Sequence, residues 1–139
     1  MGELAQISEM VESHIPLFAI DTLDTEQVTR AFRDYGRATG TPVFMWRPAM
    51  GLHESGSDER ISGTREPADV LKYILGRKEY AIYLLCQFPA WTPHTDIELQ
   101  LRSLAECQGK AAYAVFLVGS SGSITPGLRP HCYHLRYNS

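Results

Sequence analysis

The chain has 139 residues, 44% of them hydrophobic and 21% charged, so it can bury roughly two thirds of the surface it exposes when unfolded, without disulfides or a structural metal. Its 13 Lys and Arg against 16 Asp and Glu leave a formal net charge of −3. With the basic residues scattered, that balance speaks against wrapping nucleic acid, which needs concentrated cations to release counterions.

Cys86, Cys107 and Cys132 are widely spaced and form no Cys-x-x-Cys pair, which predicts free thiols in a reducing cytoplasm. The first twenty residues carry Glu3, Glu9 and Glu12 where a secretory leader has a basic start and an apolar run, so no leader is expected. The longest apolar stretch, beginning at Tyr80, falls far short of the ~20 residues that span a bilayer, and no membrane association is expected.

Apolar residues at Leu4, Ile7 and Val11 mark a short opening helix, expected to stop near Ile15 because Pro16 disfavours helical backbone before it. Leu17-Phe18-Ala19-Ile20 reads as a buried strand. Asp24 with Gln27 three residues on resembles a capping box, and Val28, Ala31, Phe32 and Tyr35 follow at helical spacing up to the region 36–40. Val43-Phe44-Met45-Trp46 predicts a second strand.

From 49 to 66 the chain turns polar and glycine-rich, which predicts a long flexible loop. Pro67 suits the first turn of a helix with Val70, Leu71, Ile74 and Leu75 on its apolar face and Gly76 as its cap. Residues 80–85 are the strongest strand signal. Thr95 and Glu98 form a capping box before Ile97, Leu101, Leu104 and Ala105. Residues 113–118 predict a fourth strand, and 131–135 a fifth.

Apolar strands alternating with amphipathic helices predict one α/β domain over 1–139. It is expected to be a three-layer αβα sandwich around a mainly parallel five-stranded sheet, degenerate P-loop or Rossmann-like. Ligands of such folds sit at the carboxyl ends of the strands. After the first strand comes Asp21-Thr22-Leu23-Asp24, without the glycines and lysine of a phosphate loop. After the third comes Cys86-Gln87-Phe88, without the acid that holds magnesium in NTPases.

The run Gly119, Ser120, Ser121, Gly122, Ser123 follows a strand as an anion loop does, but continues into Ile124-Thr125-Pro126 rather than opening a helix with lysine. Cys132 and His134 fall on one face of the last strand, yet two further ligands are missing for a metal site. No metal or cofactor is expected. Trp46, Phe88, Trp91, Tyr133 and Tyr137 lie near strand ends and are candidates for a protein interface.

Several strings resemble the N-terminal domain of the cyanobacterial and plastid-encoded AAA+ ATPases first described as a hypothetical chloroplast reading frame. They are Ile15-Pro16-Leu17-Phe18-Ala19-Ile20-Asp21-Thr22, Val43-Phe44-Met45-Trp46, Pro67-Ala68-Asp69-Val70-Leu71, Phe88-Pro89-Ala90-Trp91 and Ile124-Thr125-Pro126-Gly127-Leu128. The resemblance runs from about residue 4 to 137. It implies a degenerate P-loop-like domain that precedes the ATPase module and lacks the phosphate loop.

The expected function is therefore a regulatory or assembly module without catalysis, whose partner is a protein, either an AAA+ ATPase or a second copy. The alternative is a small-ligand or nucleotide sensor that binds at the strand ends through Thr22, Gly119, Ser120, Ser121, Gly122 and Ser123, with residues 51–63 as a lid.

Overall fold

The structure, a computed structural model, describes residues 2–22, 24–47, 50–55, 59–87, 95–106, 112–119 and 133–136. Helix α1 (Gly2–Glu12) buries Ile7 and Met10. It ends before the Ile15 boundary that Pro16 suggests. The Ser13 hydroxyl donates to the Met10 carbonyl at 2.6 Å, and His14 takes φ 61°, a left-handed turn that stops the helix.

Strand β1 (Leu17–Asp21) follows, then α2 (Thr25–Thr39) with Val28, Ala31, Phe32 and Tyr35 buried, as their spacing predicts. Gly40 closes α2 at φ 77°, its amide donating to the Gly36 carbonyl at 2.8 Å. Strand β2 (Val43–Arg47) comes next, then a strand inside the expected loop, β3 (Gly51–Glu54). Helix α3 (Pro67–Gly76), β4 (Ala81–Cys86), α4 (Thr95–Ala105), β5 (Tyr113–Gly119) and β6 (Tyr133–Arg136) complete the order.

The sheet order is β3-β2-β4-β5-β1-β6. The five expected strands run parallel, in the register Phe44 with Tyr83, Leu84 with Phe116, Phe18 with Phe116 and Ile20 with Leu135. The sixth, β3, pairs antiparallel with β2, Met45 facing His53. The chain moves one way along the sheet from β1 to β2 and back from β2 to β4. Crossovers of a single hand then require α2 and α3 on opposite faces.

Packing bears this out. On one face α1 and α2 cover Phe18, Ile20, Ile82, Leu84, Ala114 and Phe116. On the other, α3 and α4 cover Leu17, Tyr83, Leu85, Val115 and Leu117. The alternation along β4, Ile82 and Leu84 against Tyr83 and Leu85, is the two-residue period of a strand buried on both sides. The first face is centred on an aromatic stack: Phe18 lies 4.7 Å from Phe116 between ring centres, and Phe32 lies 4.6 Å from Phe116. The fold is thus the expected three-layer αβα sandwich.

Three expectations need correction. Residues 49–66 are not one loop, because Gly51–Glu54 extends the sheet. Leu75, expected on the buried face of α3, is 42% exposed, and Gly76 is the last helical residue with Arg77 as the cap. At the helical pitch Leu75 falls on the margin of the stripe that Val70, Leu71 and Ile74 turn to the sheet, and the helix ends one residue later. Tyr80 lies before β4 and is exposed.

Candidate functional site

The carboxyl ends of β2, β4, β5 and β1 carry Arg47, Cys86, Gly119 and Asp21. Helices α2 and α3 begin beside this rim, and the chain finishes their first turns differently.

At α2 the turn is closed by its own groups. The Thr22 amide donates to the Gly119 carbonyl at 2.8 Å, and the Thr22 hydroxyl accepts from the Asp24 amide at 3.0 Å. The Asp24 carboxylate accepts from the Gln27 amide at 3.0 Å. The amides of Thr22, Asp24 and Gln27 are therefore engaged within the chain, and Asp21, Asp24 and Glu26 make this stretch of sequence acidic, which disfavours an anion there. Thr22, expected among the ligand contacts, is buried and uses its hydroxyl within the turn. Gly119 ends β5 and supplies the carbonyl that holds Thr22. Ser120, Ser121, Gly122 and Ser123 lie outside the described residues.

At α3 the approach is organised by Thr64, which is 1% exposed. Its hydroxyl accepts from the Leu52 amide at 2.9 Å and donates to the Ile61 carbonyl at 2.7 Å. Its carbonyl accepts from the Trp46 indole N–H at 2.8 Å. The Ile61 amide in turn donates to the Leu52 carbonyl at 2.8 Å, and Arg60 bridges to His53. The described residues of the segment expected to be a lid are thus tied to the sheet by side-chain and main-chain bonds. Gly51 takes φ 79°, and a Cβ there would come 3.3 Å from the Thr64 hydroxyl, so both conformation and space favour glycine.

These bonds wall a cleft of about 400 Å³, lined among others by Gly51, Arg60, Thr64, Arg65, Glu66 and Asp69. Glu66 occupies the cap position of α3 without a side-chain capping bond.

Trp46 is corrected from interface aromatic to core anchor. It is 1% exposed, because its indole reaches back to Thr64 rather than out of the strand end. Tyr133 is 52% exposed, and its ring meets that of Phe18 edge to face with 5.8 Å between ring centres. Phe88, Trp91 and Tyr137 lie outside the described residues. So do the side chains of the Thr95 and Glu98 capping box, the His134 side chain and Cys132.

Between the two helix starts, burial pushes the Cys86 thiol up to about 11, while the Arg47 guanidinium beside it pulls the other way. A thiol so protonated is a poor nucleophile and metal ligand. Among the described residues no group of His, Cys, Asp and Glu is placed to hold a metal ion, and no helix is long and apolar enough to cross a membrane. Residues that sequence reasoning missed are Thr64, Arg60 and Arg65, which sit in a polar stretch without periodicity.

A three-layer α/β sandwich whose first strand-to-helix turn carries neither glycine nor lysine agrees with what the family resemblance implies for an N-terminal domain of an AAA ATPase. Comparison with known families agrees: the chain belongs to the family described as SpoVK-like AAA ATPase, N-terminal domain, which matches residues 4–137. A search of the curated proteins gives no match.

Proposed function

We propose that this domain is a non-catalytic docking module of an AAA ATPase, a cytoplasmic unit whose partner is a protein, either an ATPase module or a second copy. Kinship with the cyanobacterial and plastid branch of these ATPases belongs to the same proposal. The observation that carries the reading is the self-closed β1–α2 turn. The Thr22 and Asp24 side chains take up the Asp24 and Gln27 amides at the helix start where a P-loop fold would cradle a nucleotide, and Asp21, Asp24 and Glu26 make the stretch acidic. Family membership supplies the setting, and fold alone does not specify the task.

The test has two arms. A purified AAA ATPase module of the family is titrated onto the domain and followed by sedimentation velocity, alongside the domain by itself over a concentration series. A complex with the module, or a self-associating species, is expected. A strict monomer that ignores the module overturns the reading. The second arm is a thermal melt with ATP and ADP, with and without magnesium. No shift is expected, whereas a ligand near a hundred times its Kd adds about 2.7 kcal/mol and raises Tm by several degrees, which would overturn the reading in favour of a nucleotide sensor.

A further inference from the structure

The cleft beside α3 combines several features of a binding site. It has room, about 400 Å³, in the range of small-ligand and peptide-side-chain pockets. It lies at the carboxyl end of the sheet, since Gly51 pairs with Arg47, the last residue of β2. Its wall is preorganised, because Thr64 bonds Leu52 and Ile61 and receives the Trp46 indole on its carbonyl. A wall that does not have to order itself on binding lowers the entropic cost of a contact.

Its charges are divided. Arg60 and Arg65 come from the segment between β3 and α3, and among the described residues neither guanidinium has an ion-pair or hydrogen-bond partner. Glu66 and Asp69 stand at the start of α3. A planar guanidinium matches a carboxylate through two parallel hydrogen bonds. A phosphomonoester dianion would meet the same two arginines, but at twice the repulsion from Glu66 and Asp69, and it has no donors to offer them. The ligand that fits both walls carries a carboxylate for the arginines and N–H donors for the acids. A peptide with an acidic side chain has both.

We infer that this cleft is a binding site for an acidic peptide segment of a partner protein, with Arg60 and Arg65 taking a Glu or Asp carboxylate and Glu66 and Asp69 accepting from backbone amides. This deepens the docking role proposed above and rests on it.

The experiment uses the full chain and a fluorescein-labelled peptide of alternating Glu and Gly, read by fluorescence anisotropy. Saturable binding is expected, weakening as salt rises and falling roughly tenfold or more when Gln replaces Glu, since each lost charge-assisted pair removes a large part of such a contact. The Arg60→Ala/Arg65→Ala double variant should lose binding to the same degree. Both residues are exposed, and an unchanged thermal melt checks that the variant folds. The acidic wall is read with a peptide in which N-methylglycine replaces glycine. It keeps every carboxylate but loses half of its N–H donors, and it should bind several-fold more weakly.

Equal binding by the double variant and the parent overturns the inference, and equal binding of the N-methylated peptide overturns the part given to Glu66 and Asp69. Full competition by free glutarate or inorganic phosphate also overturns it, because the cleft would then be a small-anion site. The two proposals fail separately. If the parent binds the ATPase module but not the acidic peptide, the docking reading stands and the cleft assignment falls. If it binds the peptide through the arginines but neither the module nor itself, the docking reading falls.

Discussion

Helices α2 and α3 both start at the carboxyl rim of one sheet, yet their first turns are finished in opposite ways. At α2 the chain turns the Thr22 and Asp24 side chains onto its own amides in an acidic stretch of sequence. At α3 the cap residue is Glu66, which makes no side-chain bond to the helix, and the satisfied polar groups lie one step back, around Thr64. Closure at the helix start ties the first amides of α2 to the chain's own side chains. Closure one step earlier yields a firm wall with room in front of it.

The sharpest way to break this contrast is Thr64→Val, which keeps the shape but leaves the Leu52 amide and the Ile61 carbonyl without their partner. We expect a loss of about 2–4 kcal/mol in urea unfolding. In a Trp91→Phe background the Trp46 emission should also move to the red, as its anchor loosens.

Next in size is the alkaline response of Cys86, which lies between the two helix starts. Its thiol titrates near 9.0 when unfolded and about 11 when folded. The unfolded state therefore loses its proton first, so this contribution to stability is complete below pH 9 and is lost as pH rises towards 11. Thermal melts across that window should show Tm falling, with Cys86→Ala removing part of the slope. The native thiol should also resist thiol reagents that label it quickly once unfolded.

Asp24→Ala removes the α2 cap and should cost about 1 kcal/mol in the same urea assay. Glu66→Ser gives α3 the cap it lacks, at a residue already extended with φ −79° and ψ 143°, and should gain roughly 0.5–1 kcal/mol. If Asp24→Ala is neutral, or Glu66→Ser is destabilising, the two helix starts do not differ as described.

Much of the frame was legible because its signals are local. Asp24 caps α2 through Gln27, as their spacing suggests, and Pro67 opens α3. The continuous apolar runs of β4 and β5 announce strands covered on both faces. What escaped is non-local. Gly51-Leu52-His53-Glu54 has no strand pattern of its own and becomes one by pairing with β2. Trp46 suggests exposure because it stands near a strand end, whereas its position is set by a carbonyl 18 residues further along. Thr64 looks like any residue of a polar loop, and only the fold brings Leu52, Ile61 and Trp46 to it. The candidate cleft shares that origin, since its arginines carry no motif.

The antiparallel strand β3 has a consequence for behaviour in concentrated solution. A parallel sheet that ended at β2 would offer a row of free amides and carbonyls, onto which another extended chain can zip. Here β3 covers that row, and Ile61 and Arg60 fold back over Leu52 and His53 in turn. This margin of the molecule is blunt, guarded against fibril-like stacking by the path of its own backbone rather than by charge.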